Sequence, residues 1–142
     1  MEVELTVAAI LTANARFYRA LSLADLSAMQ RVWLESADAV CVHPGGPPVV
    51  GWAAIRESWR ALFAQQGPLR VWASAAHVRV FGQTAEVACL ENIDTGRVSE
   101  AGVIQLRATN LFRRAGADWK LFEHYATPAP SGGQPLPPFS HN

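Results

Sequence analysis

Cysteine, charge and long apolar runs are all scarce in this chain, and each scarcity excludes something. Two cysteines, Cys41 and Cys89, are too few for a disulfide framework, and neither has the C-x-x-C or Cys/His spacing that holds zinc. They read as two reduced, buried thiols. Only 17% of the residues are charged, and twelve Lys plus Arg balance twelve Asp plus Glu. A net charge of zero supplies no general attraction for phosphate backbones or anionic lipid, so neither nucleic acid nor a membrane is an expected partner. It also leaves little repulsion between copies, which favours self-association. No apolar stretch approaches the roughly 20 residues that span a bilayer. The N-terminus carries Glu2 and Glu4 where a signal peptide would have a basic region and an apolar run. A soluble, cytoplasmic protein without metal or cofactor is the expectation.

What is present is apolar surface. Half of the 142 residues are hydrophobic and five are tryptophan, enough for one domain to close a core and line a cavity besides. Between residues 3 and 21, Val7, Ile10, Leu11, Phe17 and Leu21 recur at helical intervals with Arg16 and Arg19 among them, which predicts an amphipathic first helix. After a break at 22–24, Asp25 is a good N-cap type, and Leu26, Met29, Val32 and Trp33 form the stripe of a second, shorter helix. Residues 38–43 alternate as a short strand, and Pro44-Gly45-Gly46-Pro47-Pro48 then reads as a rigid loop. Trp52, Ile55, Trp59, Leu62 and Phe63 mark one face of a third helix that runs out before Gly67-Pro68.

The period then changes. Stretches 69–81, 84–94, 99–113 and 119–127 are strand-like, parted by turn material at Gly82-Gln83, Asp94-Thr95-Gly96 and Ala115-Gly116-Ala117-Asp118. Connections this short force antiparallel neighbours, so an α+β domain is expected over 1–128, its helices covering one face of a twisted meander. The remaining 129–142 is a Pro/Gly-rich C-terminal arm in which Leu136 and Phe139 would dock on this subunit or a neighbour.

This order of elements carries a resemblance. With Phe17-Tyr18, Leu23-Ala24-Asp25-Leu26, Asp38-Ala39-Val40-Cys41-Val42-His43-Pro44, Gly51-Trp52-Ala53-Ala54-Ile55 and Asn110-Leu111-Phe112-Arg113-Arg114, the chain resembles the nuclear transport factor 2-like superfamily over about residues 5–128. Within it, the chain looks most like the SnoaL-like proteins, which include polyketide cyclases and ketosteroid isomerase relatives. It also looks like the association domain of calcium/calmodulin-dependent protein kinase II. The resemblance implies a cone-shaped, curved antiparallel sheet wrapped around three N-terminal helices, a pocket in its mouth and a homodimer across the outer sheet face. It does not fix the chemistry, because one fold carries enzymes, binding modules and assembly domains.

The resemblance also implies site residues. His43 matches the aspartate general base of ketosteroid isomerases, likewise followed by proline, and an imidazole accepts a proton near neutral pH. The plain alternative is a histidine bonded to its own loop. Asn110 matches the aspartic acid that donates to the substrate oxyanion, and an amide keeps a donor; alternatively it satisfies nearby backbone. On this strand Ala108, Asn110 and Phe112 share one face and Arg107, Thr109 and Leu111 the other. Phe17 stands where the second oxyanion donor is a tyrosine; phenylalanine cannot donate, and Tyr18 points about 100° away on a helix. Steroid isomerisation itself is therefore not expected.

His124 alternates with Lys120 and Phe122 on a face that the resemblance turns toward the cavity, either as an acid–base partner of His43 or as a core residue. Two histidines alone are only a fragment of a metal site. Trp33, Trp52 and Trp59 lie on the helices that would roof a pocket for a flat apolar ligand, yet tryptophan at helical spacing is also ordinary core. Trp72 and Trp119 read as outer-core or dimer-interface residues. Cys41 shares a face with His43 but has no adjacent cation to lower its pKa. The facing of Asp38 and Glu91 stays open, and His77 and His141 suggest no chemistry.

Two functions follow as expectations. One is a small-molecule-binding domain with an apolar pocket, lined by Phe17, Trp33, Trp52, Trp59, Phe112 and His124, in which His43 takes a proton beside a carbonyl and Asn110 holds the oxyanion. The other is an association domain without chemistry. A pocket mouth filled by the three helical tryptophans would count against the first.

Overall fold

The computed structural model describes residues 1–94, 96 and 102–129. Leu136, Phe139 and His141, and the start of the third meander strand at Ser99, lie outside the described residues. The architecture is the expected α+β arrangement: three helices against a six-stranded, curved and unclosed sheet.

Helix α1 (Glu2–Leu23) buries Ile10, Ala13, Asn14, Phe17, Tyr18 and Ala20. These fall three and four residues apart, so one face of the helix enters the sheet's concave side. Ala24 ends α1 in the left-handed conformation (φ 52°), and Asp25 then opens α2 (Leu26–Val32) by accepting from the Ala28 N–H at 3.0 Å. The second helix stops one residue earlier than expected. Trp33 is extended and bridges Leu121, while the Leu34 N–H bonds the Leu121 carbonyl at 2.8 Å, so the sheet captures this segment before another helical turn forms.

Strand β1 (Val40–Val42) pairs antiparallel with β2 (Pro48–Val50) and parallel with the last strand. The expected rigid loop thus ends earlier, because Pro48 already belongs to a strand. It can do so because β2 is an edge, where a missing N–H costs no ladder bond. Gly51 (φ 90°) turns the chain into α3 (Trp52–Gln66), whose buried residues are Trp52, Ile55 and Trp59.

The meander follows as β3 (Arg70–Phe81), β4 (Thr84–Asp94), β5 (Val103–Ala115) and β6 (Asp118–Pro128), giving the sheet order β2-β1-β6-β5-β4-β3. Ala85, Val87, Cys89 and Glu91 of β4 and Ala108, Asn110 and Phe112 of β5 are buried. Strand β6 departs from the expected alternation. Its register against β5 shifts so that Leu111 faces Glu123 and Phe112 faces Leu121, which leaves Phe122 as an extra residue. His124 therefore does not share a face with Lys120 and Phe122. Lys120 reaches the Arg31 carbonyl at 2.5 Å, and the Arg113 guanidinium lies 4.3 Å over the Phe122 ring. Trp119, expected at the outside, belongs to the hydrophobic core, whereas Trp72 is only half-buried, with Arg70 over its ring at 4.9 Å.

Asp25 holds the corner where α1 hands over to α2. Asp25→Ala is expected to cost about 1 kcal/mol, a fall of about 3 °C in the thermal midpoint, and Asp25→Ser to restore most of it. An unchanged midpoint in a calorimetric melt of Asp25→Ala would remove the cap from the account.

Candidate functional site

Four elements each send a polar side chain into the interior. Helix α1 contributes Asn14 and Tyr18, one turn apart; β4 contributes Glu91, β5 Asn110 and β6 His124, all of them buried. The Asn110 Nδ2 group donates to Asn14 Oδ1 at 2.9 Å and to the Tyr18 hydroxyl at 3.1 Å. The Tyr18 hydroxyl in turn donates to Glu91 Oε2 at 2.7 Å. With its amide protons spent, Asn110 presents Oδ1 to His124 Nδ1 at 2.6 Å, so the Nδ1 position carries the imidazole proton. The other nitrogen, Nε2, then bears a lone pair 3.7 Å from Glu91 Oε2. His124, Asn110, Tyr18 and Glu91 thus form a hydrogen-bonded chain that runs one way, from His124 to Glu91, and the 3.7 Å contact, too long for a hydrogen bond, brings its two ends round into a ring.

Burial sets the charge of this ring. Desolvation pushes the Glu91 carboxyl up to about 7, against the smaller opposing effect of the Tyr18 hydrogen bond. Desolvation, with His43 nearby as a second cause, pulls the His124 imidazole down to about 3. The Glu91–His124 contact is therefore between a neutral imidazole and a carboxyl that changes its protonation near neutrality, and it is not an ion pair. Burial, then the Glu91 charge, raises the Tyr18 hydroxyl well above its usual range. Burial likewise raises the thiols of Cys41 and Cys89, so neither is a thiolate nucleophile.

His43 stands beside the ring, half-buried, just past the end of β1. Its Nε2 is 3.0 Å from Ser58 Oγ, and Ser58 already donates to the Ile55 carbonyl at 2.7 Å. Nε2 is hence the protonated nitrogen and Nδ1 the free base. Burial lowers the pKa of His43. Aromatic rings bind the two histidines into one cluster: Trp59 lies 4.7 Å from His43 and 6.2 Å from His124, and Phe17 lies 4.8 Å from His124. The indole N–H of Trp59 is buried and has no acceptor.

The structure brings together His43, Asn110, His124, Phe17 and Trp59, with Phe112 buried one inward position along β5 from Asn110. Trp33 and Trp52 pack on each other at 6.0 Å within the core, and Trp59 is buried with them; Trp33 also borders a cleft beside α2. Asn110 differs from its expected role, because both of its amide protons are committed and none is left for an oxyanion. The hydroxyl missing at Phe17 is supplied next door: the curved sheet wraps far enough round α1 to bury both Phe17 and Tyr18.

Asn14 and Ser58 were not among the candidates read from sequence, Tyr18 was set aside for its direction on the helix, and the facing of Glu91 was left open. Two signals pointed to all of these but Ser58. Ile10, Asn14 and Tyr18 repeat every four residues, and Glu91 is in phase with Val87 and Cys89 on β4.

Comparison with known proteins places this geometry in a family. A putative dehydratase of the nuclear transport factor 2-like family from Streptomyces avermitilis is 29% identical; the match covers 90% of this chain and 99% of that one, with a TM-score of 0.79. A putative calcium/calmodulin-dependent protein kinase type II association domain from Thiobacillus denitrificans is also 29% identical, over 82% of this chain and 91% of that one, with a TM-score of 0.75. Among curated proteins, F-box protein SKIP8 of Arabidopsis thaliana is 24% identical over 124 residues, 86% of this chain. The chain spans about half the length of that relative, 50%. Residues 10–130 match the SnoaL-like domain family, and with its three helices and curved sheet the chain belongs to that family.

Proposed function

We propose that this SnoaL-like domain binds a small, weakly polar carbonyl compound between His43 and the ring, where the buried Trp59 side chain must shift to admit it, and moves a proton on the carbon next to the carbonyl. The array of Tyr18, Glu91, Asn110 and His124 in an aromatic interior, hydrogen-bonded except where Glu91 meets His124 at 3.7 Å, carries this reading. A ring kept only for stability would be a costly choice, since burying a carboxyl, a phenol, an imidazole and amides forfeits hydration that apolar side chains never had. In the proposed reaction His43 Nδ1 takes the proton. The neutral Glu91 carboxyl donates its proton to the charge developing on the carbonyl oxygen, and Tyr18, by donating to Glu91 Oε2, makes that carboxyl the stronger acid. Asn110 and His124 hold that pair in place, and the free indole N–H of Trp59 is a further donor for a bound oxygen. The dehydratase assignment of the Streptomyces relative agrees, because loss of water beside a carbonyl starts with the same proton abstraction.

Catalysed hydrogen–deuterium exchange next to the carbonyl, followed by NMR on a panel of flat cyclic ketones in D2O, tests the reading. Tyr18→Phe is expected to slow exchange on the order of 10²-fold and His43→Ala on the order of 10²–10⁴-fold. The reading fails if no ketone exchanges and native mass spectrometry of protein from its own host finds no retained small molecule.

The pH profile gives a sharper test. The donor role needs Glu91 protonated, so activity is lost as pH rises through about 7, and the base role needs His43 neutral, so it is also lost on the acid side. Glu91→Gln keeps a donor and is expected to abolish the alkaline limb alone; if that limb persists in the variant, Glu91 has no such role. Stability follows the same sign. A folded pKa of about 7 against an ordinary 4.5 means that the carboxyl favours the fold at low pH and loses this contribution between those values as pH rises. The difference in urea midpoint between Glu91→Gln and the parent chain should therefore shift in favour of the variant from pH 4 to pH 8.

A second reading, association through the sheet into a homodimer, is supported by two exposed apolar side chains on the outer face, Phe81 on β3 and Val103 on β5, at opposite ends of the sheet. The name of the Thiobacillus relative agrees with it. Light scattering should then give twice 15.4 kDa, and a monomer at micromolar concentration would end this reading.

A further inference from the structure

We infer that the cleft between α1, α2 and the β5–β6 turn is a second binding site, separate from the interior ring, for a small molecule with an anionic head and an apolar body. The cleft holds about 700 Å³, a volume within the range of ligand sites. Alanines at positions 13, 20 and 28 leave it open, and Val32 and Trp119 extend its apolar lining. Arg16, Arg19, Arg31 and Lys120 bring four cations to the same cleft.

The state of the arginines singles this cleft out. Arg60 pairs with Glu57 and Arg79 with Glu86, while Arg56 and Arg114 donate to oxygen acceptors. Arg70 and Arg113 lie over aromatic rings, and Arg107 also has a partner. Among the described residues, three arginines have no side-chain partner, Arg16, Arg19 and Arg31, and all three line this one cleft. Of the two carboxylates there, Asp25 is occupied in capping α2; Asp118 is exposed at the turn.

Unpaired guanidinium groups offer planar, two-pronged donors that match a carboxylate or phosphate. Lys120 adds a fixed charge, since its ammonium is anchored on the Arg31 carbonyl at 2.5 Å. The apolar lining requires the other half of the ligand to be hydrocarbon. A neighbouring cleft of about 650 Å³, which shares Arg31 and Lys120 and is lined by Trp33, Leu34 and Ala115, gives that half room to extend.

The test titrates the full chain with decanoate below its micelle concentration, with decanol as the neutral match and inorganic phosphate as the head alone, followed by amide NMR shifts. Decanoate should move resonances in 9–23, 28–32 and 117–120, with decanol and phosphate each binding at least tenfold more weakly. Replacing Arg16, Arg19 and Arg31 together by alanine should weaken decanoate at least tenfold and leave decanol unchanged. These side chains are exposed and unpartnered, so the fold should survive, and the single reversal Arg19→Glu should still weaken decanoate at least threefold. Equal binding of decanol shows that the charges do not matter, equal binding of phosphate shows that the apolar body does not, and shifts confined to the surroundings of His43 and Asn110 place the ligand elsewhere. Any one of these overturns the inference, and none bears on exchange chemistry in the interior.

Discussion

The hydrogen bond from Tyr18 to Glu91 is the constraint on which the rest depends, because it joins α1 to the middle of the sheet across a dry interior. A polar group left unpaired there costs about 1–3 kcal/mol, so once Tyr18 is inside, its neighbours are no longer free choices. Asn110 must approach from β5, and His124 must approach Asn110 from β6. The strand registers follow from this, with Val87 opposite Asn110 and Asn110 opposite His124. A slip of one residue in either strand would turn a ring member to the outer face and leave the others unsatisfied. The polar ring thus specifies the fold as well as the candidate chemistry.

The bulge at Phe122 lets a single strand serve both purposes. Near its start β6 must bury Trp119 and Leu121 against the core, and further along it must bury His124 in the ring. The distance from Leu121 to His124 is an odd number of residues, so strict alternation would expose one of them. One extra residue corrects the phase, and Phe122 is covered by the Arg113 guanidinium instead of being left bare. Strand β1 then adds in parallel to this corrected segment, with Cys41 opposite His124, which carries His43 toward the same cluster.

The three helices and four long strands were legible in the sequence because their signals are local. The 3.6-residue stripe of Trp52, Ile55 and Trp59 and the turn at Gly82-Gln83 need no distant partner to be read. Trp33 continues the apolar stripe of α2, but only its pairing with Leu121 pulls it out of the helix, and no local pattern records that. Pro48 looks like loop material until the sheet order makes β2 an edge. The site was half legible for the same reason. His43 and Asn110 were found through resemblance, but residue-by-residue matching put the helix donor at Phe17 and set Tyr18 aside as pointing about 100° away, although a sheet that curves round α1 buries both side chains. Glu91 lay in the apolar phase of β4, and a lone carboxylate in an apolar alternation is informative because burial is expensive for it.

A net charge of zero argues against a general attraction for nucleic acid or anionic lipid, as a statement about the whole surface. It says nothing about distribution. Most of the described arginines are engaged, Arg60 and Arg79 by carboxylates and others by oxygen acceptors or rings, and the cations left over gather beside α1 and α2. The two faces of α1 therefore present different electrostatics: Asn14 and Tyr18 inside, Arg16 and Arg19 outside. They also act independently. The influences that set the Glu91 carboxyl are its burial first and the Tyr18 hydroxyl second, while the exposed guanidinium groups lie outside the core, where water and salt screen their fields. An anion bound outside would leave the proton state of the ring as it is, so binding at the cleft and proton transfer in the interior can be measured separately on one chain.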